Sequence, residues 1–128
     1  MIQQFPVYAV LPCSDVERAK TWWREKLGAK PMHEDPGGAW YECAGGTMFL
    51  LTGSPNAGTA KNTAASFQVT GLEQVMEELR GNGLEFLEYD QGDFKTENGV
   101  FAMGPYKACW FQDSEGNTIE INEVVREG

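Results

Sequence analysis

The chain has 128 residues, of which 41% are hydrophobic, and its formal net charge is −9. This size suits one globular domain, residues 1–128, and no apolar run approaches the ~20 residues of a membrane-spanning helix. The acidic balance argues against a nucleic-acid partner, because affinity for phosphates rests on Lys and Arg.

The cysteines and the single histidine restrict the chemistry further. Cys13, Cys43 and Cys109 are an odd number of widely spaced cysteines, which is typical of a reducing cytoplasm. The first residues lack a basic and an apolar leader segment, so we expect no signal peptide and a cytoplasmic location. One histidine, His33, excludes a multi-histidine metal site within one chain.

The first half of the chain predicts a strand, a helix and three further strands. Residues 5–12 form the first predicted strand, and residues 14–17 match a capping box at the start of a helix. Gly28 is a natural end for this helix. A short strand over 29–34 and a hairpin over 39–52 follow. Apolar residues at helical spacing predict the buried stripe Val16, Ala19, Trp23 and Leu27.

The second half repeats this order after a linker at 53–63 that is rich in Gly, Pro, Ser, Asn and Thr. A strand over 64–69 leads into a second capping box at 70–73. The helix that follows has the predicted stripe Leu72, Val75 and Leu79. After another strand at 84–88 comes an irregular stretch, Tyr89 to Gly104, which has no counterpart in the first half and could fold over a cavity as a lid.

The two halves are therefore interpreted as an internal duplication. An offset of 56 residues aligns the two helix starts, and an offset of 70 aligns Trp40 with Trp110. We predict an α+β fold of tandem βαβββ modules, residues 5–52 and 64–125. A cupped, curled mixed sheet would carry the helices on its outer face.

The last hairpin indicates which side chains face the helices. With residues 113–117 as the loop, Trp110 pairs with Glu120 and Phe111 with Ile119. Alternation along both modules predicts a helix-facing set: Val7, Ala9, Leu11, Phe49, Leu51, Ala65, Phe67, Val69, Ile119 and Ile121. The opposite face either meets solvent or lines a cavity between the modules. Its predicted members are Tyr8, Val10, Trp40, Met48, Leu50, Ala64, Ser66, Gln68, Trp110, Thr118 and Glu120.

Two segments carry a family resemblance that extends over nearly all of residues 5–125. Residues 14–28, ending in Leu27-Gly28, resemble the strand–Asp–helix opening of the vicinal oxygen chelate superfamily, also called the glyoxalase/bleomycin resistance/dioxygenase group. Residues 111–120 (Phe-Gln-Asp-Ser-Glu-Gly-Asn-Thr-Ile-Glu) are similar to its closing hairpin. Ser114 stands where the family usually has proline, a difference that changes only the turn.

The resemblance implies a divalent metal held by four side chains, one from the first and one from the last strand of each module. The matching positions are Tyr8, Leu50, Ala64 and Glu120. Only Glu120 is a usual ligand, since Leu50 and Ala64 cannot coordinate a metal and Tyr8 is a poor ligand. We therefore expect a metal-free member without a cofactor, like the relatives that sequester drugs between aromatic and acidic pocket walls.

Two functions from different classes stay open. The first is a drug-resistance-like protein that binds a planar, uncharged or cationic ligand, and we expect it to form a homodimer. The predicted ligand-binding residues are Tyr8, Trp40, Leu50, Ser66, Gln68, Trp110, Thr118 and Glu120. The second is an enzyme of the same superfamily, resembling a glyoxalase, lyase or isomerase, with Glu120 as general base or metal ligand. Glu120 could also be a structural residue, and Trp40 and Trp110 could fill the core.

Overall fold

A computed structural model describes residues 1–124. The first half contains β1 (Ala9–Cys13), α1 (Val16–Leu27), β2 (His33–Asp35), β3 (Gly38–Glu42) and β4 (Met48–Gly53). The second half contains β5 (Thr63–Gln68), α2 (Leu72–Gly81), β6 (Asp90–Gln91), β7 (Phe94–Lys95), β8 (Phe101–Met103), β9 (Tyr106–Gln112) and β10 (Thr118–Val124). Residue 125, the predicted end of the second module, lies outside the described residues.

Two four-stranded mixed sheets form, with the strand orders β1-β4-β3-β2 and β5-β10-β9-β8. In both sheets the first strand runs parallel to the last, and the remaining pairs are antiparallel. The predicted α+β class and the duplicated topology are therefore confirmed. Over residues 1–124, neither helix has the length and apolar character needed to cross a lipid bilayer.

The chain divides into two compact units. The first unit comprises Met1–Lys61 together with Asp113–Asn117, and the second comprises Asn62–Gln112 together with residues 118–124. The turn at 113–117 thus packs with the first half of the chain, although its flanking strands β9 and β10 belong to the second unit.

The core of the first unit is aromatic. Tyr41 stacks on Phe49 with ring centroids 4.5 Å apart, and Trp23 of α1 lies 4.8 Å from Phe49. The indole N–H of Trp23 donates to the carboxylate of Asp113 at 3.3 Å. Val7, predicted to face the helix, is 87% exposed, because β1 begins two residues later at Ala9.

The predicted capping box of α1 is wrong. The N-cap is Asp15, whose carboxylate accepts the backbone N–H of Arg18 at 3.0 Å. The Ser14 hydroxyl instead donates to the carboxylate of Glu115 at 3.1 Å. The predicted end is confirmed, since Gly28 adopts a left-handed conformation with φ of 66°.

The start of α2 also differs from its predicted capping box. Gly71 is the N-cap and supplies no side chain, and the carboxylate of Glu123 accepts the backbone N–H groups of Gly71 and Leu72 at 2.8 and 3.0 Å. The buried residues of this helix are Leu72, Met76 and Leu79. Met76 rather than Val75 completes the stripe, because residues four and seven positions after Leu72 share its face.

The stretch after α2 supplies a sheet edge. The strand predicted at 84–88 does not form, although the N–H of Leu87 donates to the carbonyl of Trp110 at 2.8 Å. The first unit has the matching contact, from Met32 to Trp40 at 2.7 Å. The edge position is occupied by β8, which pairs with β9. The segment 89–104, predicted to be irregular, therefore contains the outermost strand of the second sheet.

Candidate ligand-binding site

The closing hairpin places Glu120 at the centre of the second sheet. Its predicted register is confirmed, with Trp110 opposite Glu120 and Phe111 opposite Ile119. On the other side of β10, Glu120 lies beside Ser66 of β5. Because side chains alternate, Phe111 and Ile119 are buried toward α2, and Glu120 lies on the opposite face.

Four polar side chains form a connected group on this face, here called the Glu120 cluster: Ser66, Tyr106, Glu120 and Asn122. The Ser66 hydroxyl donates to one carboxylate oxygen of Glu120 at 2.5 Å. The Tyr106 hydroxyl donates to the other oxygen. Asn122 donates its amide N–H to the Ser66 oxygen at 2.7 Å. The carboxylate is therefore fixed in orientation by two neutral donors.

Among the described residues, no side-chain cation pairs with the carboxylate of this cluster. None of the ion pairs formed within residues 1–124 includes Glu120. Burial and the hydrogen bond to Glu120 raise the pKa of Tyr106 to about 12, so its phenol remains a proton donor at neutral pH. Ser66 and Gln68 are exposed beside it. A carboxylate has about four acceptor sites. The Asn122 amide also donates, at 3.5 Å, to the oxygen that Ser66 contacts. About one acceptor site, on the oxygen that Tyr106 contacts, therefore remains for a donor from outside the protein.

Trp110 is buried more deeply than expected for a residue that lines an open cavity. It is 8% exposed, and the rings of Tyr89, Phe94 and Phe101 lie 5.6, 5.3 and 6.4 Å from its own. These three residues come from the segment 89–104, which therefore covers the indole. Thr118, another predicted ligand-binding residue, is buried at the start of β10. Most of the Trp110 surface is used in packing within the second unit.

The first unit presents a different set of predicted residues. Trp40 pairs with Leu50 across β3 and β4, and Leu50 is largely buried. Tyr8 precedes β1, is 45% exposed, and lies with its ring 4.8 Å from that of Trp40. Trp40 donates its indole N–H to Asp35 at 3.1 Å. This face is aromatic and apolar at the position where the second unit has Glu120.

The four positions that correspond to metal ligands in the resemblance do not provide a metal site. Leu50 and Ala64 end in hydrocarbon, which leaves one carboxylate and one phenol. Over residues 1–124, no group of three or more His, Cys, Asp or Glu side chains is placed to hold a metal ion. The donor set therefore does not fit a resident divalent cation.

Comparison with known proteins now assigns the family. The family model described as "Glyoxalase/Bleomycin resistance protein/Dioxygenase superfamily" matches residues 6–121. The chain belongs to this superfamily. Among curated proteins, none matches the chain.

Solved structures of low sequence identity share the fold. A glyoxalase/bleomycin resistance protein from Catenulispora acidiphila has 23% identity and a TM-score of 0.66, with 94% of this chain and 98% of that chain covered. TnmS3, an antibiotic-binding protein from Streptomyces sp. CB03234, has 18% identity and a TM-score of 0.64, with coverage of 94% and 95%. The fosfomycin resistance protein FosX from Listeria monocytogenes, in complex with Mn(II), has 14% identity and a TM-score of 0.62, with coverage of 89% and 85%.

Sequence reasoning did not include two members of the Glu120 cluster among the predicted binding residues. Tyr106 lies four residues before Trp110, and Asn122 lies two residues after Glu120. The period of two that selected Trp110 and Glu120 also puts both of them on the same face. The alternation of side chains along this hairpin therefore already indicated that Tyr106 and Asn122 lie beside Glu120.

Proposed function

We propose that this protein binds a small, planar organic molecule without a metal, and that Glu120 is the group that orients it. The observation that carries the proposal is the Glu120 carboxylate, which Tyr106 and Ser66 hold and which forms no ion pair with a side chain of residues 1–124. A fixed acceptor next to exposed amide and hydroxyl groups is a usual arrangement for orienting a ligand. The preferred partner is an N–H donor or a cationic nitrogen.

Metal independence rests on the donor set. Relatives such as FosX are described with Mn(II), whereas this chain has Leu50 and Ala64 at two of the four corresponding positions. These side chains could only surround a ligand, and could not coordinate a cation. Sequestration of an antibiotic-like molecule is supported by the resemblance in fold to TnmS3, which is an antibiotic-binding protein.

An enzyme that uses Glu120 as general base is the second candidate. The observation in its favour is that two hydroxyl groups, those of Tyr106 and Ser66, contact the same carboxylate. A ligand recovered unchanged after prolonged incubation with the protein supports the binding function. Conversion that stops in a Glu120→Gln variant supports the enzyme.

We also propose that the protein is a cytoplasmic homodimer. Over residues 1–124, β1 and β5 are edge strands, each paired on one side only. An open strand edge favours pairing with another chain.

The binding proposal can be tested with two planar dyes, cationic proflavine and its largely uncharged relative acridine. We expect Glu120→Gln to weaken proflavine binding at least about tenfold, because the ligand loses its charge partner and hydrogen-bond acceptor. Glu78→Gln on the exposed side of α2 removes the same charge elsewhere and serves as the matched control. Equal effects of the two substitutions would show that only net charge attracts the dye, and would refute the proposed site.

A further inference from the structure

The first unit has an aromatic pair of its own, formed by Tyr8 and Trp40. Tyr8, which directly precedes β1, lies against Trp40 of β3, with ring centroids 4.8 Å apart and ring planes inclined at 67°. Inclined rings leave part of their faces open, whereas stacked rings cover one another. Together they form a partly exposed angle, here called the Tyr8–Trp40 corner.

A carboxylate is fixed at the edge of this corner. One oxygen of Asp35 accepts the indole N–H of Trp40 at 3.1 Å, and the other accepts the backbone N–H of Gly37 at 2.8 Å. Donation to an anion increases the electron density of the indole, which makes its faces more attractive to a cation. The hydrogen bond to Trp40 and the negative charge of Asp35 therefore both favour a cation at this corner.

The side-chain cations nearby leave the corner free. The ammonium of Lys20 lies against Glu17 and Glu34, at 3.0 and 2.5 Å. Asp35 has only His33 as an ion-pair partner within residues 1–124, at 3.5 Å, and that histidine is exposed. No lysine or arginine described here therefore neutralises the carboxylate of Asp35.

We propose that the Tyr8–Trp40 corner binds an alkylammonium group, either a quaternary ammonium or a methylated tertiary amine. Aromatic faces with an adjacent carboxylate attract such cations, which are large and weakly hydrated. The exposed side chain of Val10 and the buried Leu50 lie on the same sheet face and provide apolar contacts for the methyl groups. This inference goes beyond the proposed function, since the site lies in the first unit and requires neither a planar ring nor Glu120.

The test is a calorimetric titration of the full chain with choline, compared with 3,3-dimethylbutan-1-ol, which has the same shape without the charge. We expect choline to bind saturably and the neutral alcohol not to bind. We expect Asp35→Asn and Trp40→Leu each to weaken choline binding at least about fivefold. Glu25→Gln, on the exposed surface of α1, is the control for net charge, and should leave the affinity within about twofold.

Three results would overturn the proposal: no saturable choline binding, equal binding of choline and the alcohol, or equal weakening by Glu25→Gln and Asp35→Asn. If Trp40→Leu does not fold, the Asp35→Asn result and the comparison with the alcohol still decide the question. Glu120→Gln should retain wild-type choline binding, so the failure of one site can be distinguished from the failure of the other.

Discussion

Replacing Glu115 by Gln should destabilise the protein strongly, because its carboxylate accepts several hydrogen bonds in a buried position. The side chain of Glu115 is fully buried, in the turn at 113–117. Its carboxylate accepts the backbone N–H groups of Ser14 and Asp15 at 2.9 and 3.0 Å. It also accepts two N–H groups of Arg18, at 2.9 and 3.0 Å. These contacts join the turn to the first turn of α1.

The magnitude follows from the pKa of this carboxyl group. Burial raises it, but the hydrogen bonds from Arg18, Ser114, Asp15 and Ser14 outweigh burial and lower the pKa of Glu115 from 4.5 to about 2. A difference of roughly 2.5 units, at 1.36 kcal/mol per unit, corresponds to about 3 kcal/mol of stability. For a chain of this size that is a decrease in Tm of roughly 10 °C.

The pH dependence has a defined sign. Because the pKa is lower in the folded state, the stabilisation is fully present above pH 4.5 and is lost as the pH falls toward 2. In urea unfolding, the free energy of unfolding of wild type should therefore exceed that of Glu115→Gln by about 3 kcal/mol at neutral pH. The difference should be roughly half as large near pH 3.

The matched control is Glu17→Gln. Glu17 also contacts a cation, Lys20 at 3.0 Å, but its side chain is 82% exposed, so this ion pair is worth little. Two results would contradict this reasoning. One is a loss of unfolding free energy in Glu115→Gln that is no larger than the loss in Glu17→Gln. The other is a loss in Glu115→Gln that does not change with pH.

Four further predictions concern packing, metal content and assembly. Trp110→Ala should lower the free energy of unfolding by about 3–5 kcal/mol, because a large ring leaves an aromatic cluster; urea unfolding measures this. Tyr41→Phe should be neutral or stabilising by up to about 1 kcal/mol in the same assay, since within residues 1–124 the buried Tyr41 hydroxyl has no hydrogen-bond partner. Elemental analysis of gently purified protein should find no stoichiometric Zn, Ni or Mn, because Leu50 and Ala64 cannot coordinate; about one ion per chain would contradict this. Light scattering at micromolar concentration should give the mass of two chains, and the mass of one chain would refute the dimer.

The strand and helix order, the register of the last hairpin and the end of α1 were predicted correctly, because each depends on residues close together in the sequence. The duplicated order of strands and helices follows from alternation and helical spacing, and the register of the last hairpin follows from the turn at 113–117. Gly28 ends α1 as expected, because a left-handed residue after a helix is favoured in glycine.

Features that depend on distant residues were not predicted. Both capping boxes satisfy the local pattern, yet each helix start is bound by a carboxylate from far along the chain: Glu115 for α1 and Glu123 for α2. The enclosure of Trp110 likewise depends on the rings of the segment 89–104, whose sequence has no clear periodicity. Hydrogen bonds and ring contacts between residues far apart in the chain produce no periodic pattern in the sequence, so they could not be inferred from it.

A planar ligand should bind at Glu120, and nuclear magnetic resonance tests this binding most directly. In a titration of the isotope-labelled protein with proflavine, the amide signals around Ser66, Tyr106 and Glu120 should shift together and saturate. The same signals should stay in place when the titration is repeated with Glu120→Gln. Shifts confined to other parts of the chain, or shifts at these residues that persist in the variant, would contradict the account.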